Sequence, residues 1–256
     1  SSGSYMLWDE SADDLILGGA AGLTIAGDID VDGTSNLDVI DVDGAANFAA
    51  DVTLANGADL ITASAGTDNV RFGENAGNSI ASGGLRNILI GKNAGTALTT
   101  GDSNVAIGWE ALKTEDTHAN SVAIGASALA TQNAGADAYN VAMGYNAGTA
   151  VTTGIQNTLI GGLAGDALTT GYHNVALGYA ALTADTLGRS TVAIGNEALS
   201  TQNFTSATDS FNVAVGDQAG KSVTTGTYNT LIGGLAGDSI TTGVRNTTMG
   251  YASGGQ

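Results

Sequence analysis

Residues 104–112 read Asn-Val-Ala-Ile-Gly-Trp-Glu-Ala-Leu, and the opening of that phrase recurs along most of the chain. A polar residue is followed by three residues with apolar first and third positions, then by glycine. From Asn69 onward the eleven copies end at Gly73, Gly91, Gly108, Gly125, Gly144, Gly161, Gly178, Gly195, Gly216, Gly233 and Gly250. The dominant spacing is 17 residues, stretched to 19 before Gly144 and 21 before Gly216. Fixed periods of this size build stacked arrays whose units are not stable alone. Each phrase reads as a short strand, with Val105 and Ile107 on one face and Asn104 and Ala106 on the other. The glycine that follows allows a turn that a Cβ would oppose. A second short strand, such as Ala97-Leu98-Thr99-Thr100, is expected as the return leg. The pattern predicts an all-β protein, a parallel β-roll or β-solenoid of about eleven coils, on the order of 50 Å long.

A four-coil period sits above the 17-residue one. NTLIGGLAGD occurs at 157–166 and, unchanged, at 229–238. The first two coils of each quartet continue with Ala-Gly and usually Thr-Thr-Gly; the third and fourth continue with Ala-Leu, as at Ala111-Leu112 and Ala198-Leu199. Asn stands in register at Asn69, Asn87, Asn104, Asn140, Asn157, Asn174, Asn212, Asn229 and Asn246. Such a column can form a side-chain amide ladder. Each coil has few large apolar side chains to offset the cost of ordering its backbone. If Val and Ile fill the coil interior, then Ala106, Ala123, Ala142, Ala176, Ala193 and Ala214 face outward, suited to close packing against another copy. The expectation is an elongated homotrimer.

The 256 residues include 39 glycines, no proline and no cysteine, and carry a formal net charge of −18. Without cysteine there is no disulfide framework and no thiolate metal site. The acidity argues against nucleic acid as a partner, and no apolar run is long enough to insert in a membrane. The charge is uneven. Residues 1–68 hold 13 of the 25 acids and no Lys or Arg, the first base being Arg71. We therefore divide the chain into an acidic, β-rich N-terminal stem (1–68) and a repeat shaft (69–256). Within the stem, DVDGTSNL at 30–37 and DVDGAANF at 41–48 form a shorter array. Asp28, Asp30, Asp32 and Gly33 resemble the start of a calcium loop, but Val39 stands where an EF-hand needs its bidentate Glu. The solvent face of an alternating strand is the better reading, and no metal or cofactor is expected. Ser1-Ser2-Gly3-Ser4, without an initiator Met, reads as a fragment, a processed chain or a cloning scar.

No nucleophile, acid–base or phosphate-loop signature appears, so the chain is not expected to be an enzyme. His118 and His173 read as turn residues, and the scattered acids as solubilising. Aromatic residues suggest the candidate recognition surface. Trp109, Tyr179 and Tyr251 follow the strand glycine in the third coils and Tyr145 does so in one first coil; they read either as packing over the turn or as a platform for glycan rings. The insertions 131–139 and 201–211 follow fourth coils and are expected to carry Tyr139, Phe204 and Phe211 outward, where recognition usually lies.

NVAIGWEAL, SVAIGASAL, NVALGYAAL, TVAIGNEAL and the Thr-Thr-Gly returns resemble the repeats of phage tail-fibre proteins, over residues 69–251. MLWDESADDLIL near the start is similar to a short segment common in such fibres. The Ser121–Gly125 core also resembles the shorter head repeats of trimeric autotransporter adhesins, which form a parallel β-roll. The fibre resemblance implies a structural virion protein: a homotrimeric shaft, joined to other virion proteins, that reaches a host surface glycan or outer-membrane component. The adhesin resemblance implies instead the head of a bacterial surface protein, outside the cell.

Overall fold

A computed structural model describes the backbone of residues 5–9 and 14–18 and, in full, residues 65–255. The chain groups into two units, Ser1–Gly57 and Ala58–Gln256. In the first, β1 (Tyr5–Asp9) and β2 (Asp14–Gly18) pair antiparallel, with Tyr5 opposite Gly18 and Asp9 opposite Asp14. The Asp28, Asp30 and Asp32 motif and the 23–60 array lie outside the described residues.

The second unit is a parallel β-solenoid of eleven turns. Its strands are β3 (Val70–Phe72), β4 (Ile88–Ile90), β5 (Val105–Ile107), β6 (Val122–Ile124), β7 (Val141–Met143), β8 (Thr158–Ile160), β9 (Val175–Leu177), β11 (Val192–Ile194), β13 (Val213–Val215), β14 (Thr230–Ile232) and β15 (Thr247–Met249). They form one parallel sheet in chain order. Pairing is in register throughout, so that Ala193 lies between Ala176 and Ala214. Two-residue strands β10 (Gly188–Arg189) and β12 (Thr208–Asp209) add a small parallel pair. No helix among the described residues is long and apolar enough to cross a membrane.

The sheet faces the opposite way from the expectation. Ala106, Ala123, Ala142, Ala176, Ala193 and Ala214 are fully buried inside the coil, whereas the Val and Ile beside them are half-buried or exposed on the outer face. The reason is the narrowness of the coil. Leucines that follow the strand, such as Leu112, Leu129 and Leu182, already fill the interior, leaving room for only a methyl group from most strands.

The return leg is also not a strand. In one coil the turn that leads into residues 97–100 carries Gly91, Asn93 and Gly95 at φ of 123°, 61° and 55°, and residues 97–100 themselves form no strand. Neighbouring return legs are still joined at alternate residues, Gly95 N–H to Ala111 O at 2.9 Å, Ala97 N–H to Lys113 O at 3.1 Å and Thr99 N–H to Asp116 O at 2.7 Å. The strand glycine is required by close approach as well as by its dihedral: a Cβ on Gly195 would lie 2.2 Å from Gly216 O in the next coil.

The four-coil period is a trade of interior volume. In first and second coils the fourth residue after the strand glycine is Gly, as at Gly148 and Gly165, and a Cβ there would meet the Leu159 side chain at 2.6 and 2.8 Å. Leu159 on its strand fills that space. In third and fourth coils of the first two quartets the same position is a buried leucine (Leu112, Leu129, Leu182 and Leu199), held at φ of 48–55°. Burial of the leucine offsets the left-handed conformation.

Asparagine closes every coil except those that carry Ser121 or Thr191. Asn157 Nδ2 donates to Gly171 O at 2.9 Å, and Asn157 Oδ1 accepts the Asn174 backbone N–H at 3.0 Å. Asn87, Asn140, Asn174 and Asn212 make the same donation to a carbonyl 14 residues on. The column is thus an amide-to-backbone ladder; direct amide contacts occur at its ends, from Asn87 to Asn69 and from Asn246 to Asn229. Replacing Asn157 with Ala strands a buried N–H and a buried C=O, and is expected to cost about 2–3 kcal/mol in denaturant unfolding. Replacing exposed Gln156 with Ala is expected to cost under about 0.5 kcal/mol.

Candidate functional site

Two edges of the solenoid carry the candidate aromatic residues. One is the column directly after the strand glycines. There Trp109, Tyr145, Tyr179 and Tyr251 are all exposed, at 51%, 62%, 57% and 79%. The first three stand on alternate coils, separated by Ala126 and Gly162. Each is fixed through its own carbonyl: Ser127 N–H donates to Trp109 O at 2.8 Å, Leu163 N–H to Tyr145 O at 2.9 Å and Glu197 N–H to Tyr179 O at 2.9 Å. The Tyr179 ring also lies over Gly162, where an added Cβ would sit 3.5 Å from it.

The other edge is the column preceding the asparagines, where Tyr139 and Phe211 take φ of 50° and 48°. Both are exposed, as expected. Phe211 does not stand free: it stacks on Tyr228 at 5.3 Å, and Arg245 lies 5.3 Å from the Tyr228 ring centroid. Phe204 departs from the expectation. It is buried, because its backbone N–H donates to the buried Asp185 carboxylate at 3.3 Å and its carbonyl accepts from Thr186 Oγ1, drawing the insertion inward. Phe204 is therefore not a surface recognition residue.

The insertions cover a polar network that the sequence reading placed in solvent. Glu115, Gln132, Asp185 and Gln202 are fully buried and occupy the same place in the coil as Leu98, Val151, Leu168 and Val223. Glu115 accepts from Gln132 Nε2 at 3.0 Å and from His118 N–H, and pairs with His118 Nδ1 at 3.0 Å. His118 is thus a half-buried partner of Glu115, while His173 is an exposed turn residue. Asp185 accepts from Gln202 Nε2 at 2.7 Å and Gly188 N–H at 3.0 Å.

Each glutamine also splices the asparagine ladder where Ser121 or Thr191 interrupts it. Gln132 Nε2 donates to Ser121 Oγ at 2.9 Å, and Gln132 Oε1 accepts from Asn140 at 2.7 Å. Gln202 does the same between Thr191 and Asn212. The readable signal is positional: a charged or amide residue seven places after the strand glycine, where other coils have Leu, Val or Ile.

One atom each of Glu115, Asp116 and His118 lie within 4.8 Å of one another, close enough to share a cation. In the corresponding later coil, Thr186 and Gly188 stand in place of Asp116 and His118, so the grouping is not repeated. Comparison of the chain with protein-family models, with curated proteins and with solved structures finds no match in any of the three.

Burial pushes the Asp185 carboxyl above its ordinary 3.8, against the opposing hydrogen bonds from Gln202, Phe204 and Gly188. A carboxyl group with a raised folded-state pKa contributes its stability fully at pH below 3.8 and loses it as pH climbs through the raised midpoint. A carboxyl-carbon NMR titration of the folded protein is expected to place the Asp185 midpoint above 3.8.

Proposed function

We propose that this chain is part of a phage tail fibre, in which three copies form a shaft that extends from the virion toward the host surface. The observation that carries association is the outer sheet face. Of its 22 side chains, two from each of eleven strands, none is charged and only Thr158, Thr230 and Thr247 are polar. Val70, Phe72, Ile88, Met143, Leu177 and Met249 are exposed in the single chain. At about 4.8 Å per coil the strip is about 50 Å long. An uninterrupted apolar strip of this size marks an association surface. Three identical strips meeting around one axis form a closed assembly, and the Val and Ile side chains, rather than the alanines, are what they share.

The count of three and the assignment to a virion come from the resemblance to fibre repeats; a uniform, stiff coil stack suits a shaft. The head of a trimeric bacterial adhesin is the second reading, favoured by the Ser121–Gly125 core within a parallel solenoid. Flanking gene sequence separates the two. A receptor-tip or chaperone domain belongs to the fibre, and a coiled-coil stalk with a β-barrel anchor to the adhesin.

Native mass measurement is expected to give about 75 kDa, three times the 25.1 kDa chain. A stable 25.1 kDa species overturns the assembly. Leu177→Glu places a charge on the outer face, outside the coil interior, and is expected to dissociate the trimer while leaving the β circular dichroism unchanged.

A further inference from the structure

The column after the strand glycines changes character along the rod. It begins with the Lys92–Glu74 ion pair, at 2.8 Å, and later carries Asn196 and Asp217, whose side chains bond at 3.1 Å. Between these polar ends it alternates Trp109, Ala126, Tyr145, Gly162 and Tyr179, large aromatic and small. Consecutive coils are about 4.8 Å apart, so the three aromatic residues recur at about 9.6 Å. Three exposed aromatics on a hydrogen-bonded backbone, flanked by polar groups, make a surface of side chains with only two torsions each to order on binding.

The spacing selects a ligand. A β-1,4-linked chain of pyranose rings with equatorial linkages is extended, and successive rings are turned over, so the same C–H face returns at every second sugar. That repeat is close to two coils of the solenoid. The C–H face of a sugar is apolar and slightly positive, complementary to the negative face of an aromatic ring. The intervening sugars turn their opposite face toward the row, over Ala126 and over Gly162, which the Tyr179 ring partly covers. An α-1,4-linked chain curls into a helix and does not keep pace with the row.

We propose that Trp109, Tyr145 and Tyr179 form a platform for a linear β-1,4-linked polysaccharide, laid parallel to the rod axis; this rests on the attachment role given above. The polar groups at either end, Lys92 on one side and Asn196 and Asp217 on the other, meet sugar hydroxyls where the aromatic row stops.

Isothermal titration of the full chain with cellohexaose, chitohexaose and maltohexaose tests this. At least one of the two β-1,4 hexamers is expected to bind, its disaccharide about tenfold more weakly or less, and maltohexaose not at all. Tyr145→Ala, at an exposed position, is expected to weaken the hexamer about tenfold, and Trp109→Ala to do likewise by shortening the row. Tyr251→Ala, four coils beyond Tyr179, is expected to leave affinity unchanged. Binding of maltohexaose alone, absence of binding by both β-1,4 hexamers, or equal loss in all three variants overturns the platform. The native mass of the same sample keeps the two proposals apart. A trimer that binds neither β-1,4 hexamer refutes the platform and leaves the shaft standing. A monomer that binds one does the reverse.

Discussion

The stack depends on one side-chain amide per coil. A coil of about 17 residues has corners at which backbone N–H and C=O groups leave the sheet and must be satisfied in the interior or in water. Asparagine solves this at the sharpest corner: its N–H group reaches a carbonyl 14 residues on, closing its own coil, while its oxygen takes the backbone N–H of the next ladder residue. One residue therefore fixes both the circumference of a coil and its offset from the next. Where the column switches to Ser121 or Thr191, a glutamine from the return leg takes over the Asn140 or Asn212 side of the contact, and the corner stays satisfied. The buried acids belong to the same solution, because Glu115 and Asp185 hold the glutamines in place.

Packing then follows from what the corners leave over. The interior is too narrow for a large side chain from both legs of every coil. Gly and Leu exchange at the fourth position after the strand glycine, while Leu159 and its counterparts Leu89 and Leu231 fill the space above the glycines. The quartet is the run of coils over which this exchange recurs. An exact repeat such as 157–166 and 229–238 is what such an exchange would preserve.

Much of this was legible in the residues. The period, the strand at each phrase and the glycine turn all follow from a position that tolerates no Cβ and recurs in step. The orientation of the strand was not, because alanine, valine and isoleucine are all apolar and alternation alone says only that two faces differ. The width of the coil decides between them, and width is set by return-leg leucines distant in sequence. The second strand does not form, and nothing in the string Ala97-Leu98-Thr99-Thr100 reports the left-handed turn at Asn93 and Gly95 that leads into it. Glu115 and Asp185 looked like solvated acids until set beside Leu98 and Leu168. The aromatic row was visible as a set of surface residues, whereas Phe204 was drawn inward by a backbone bond to a carboxylate that itself looked exposed.

The direction of the hydrogen bonds has a mechanical consequence. Strands lie across the rod and their bonds run along it, so a pull on the two ends loads successive coil junctions in series, and the weakest junction opens first. Pressing along the stack instead closes each junction against close-packed leucines and glycines that have little room to yield. A single solenoid of this kind is a strut and not a rope. Tension is better borne when the apolar outer strips of several copies adhere along their whole length, so that a coil cannot peel away without also leaving its neighbours.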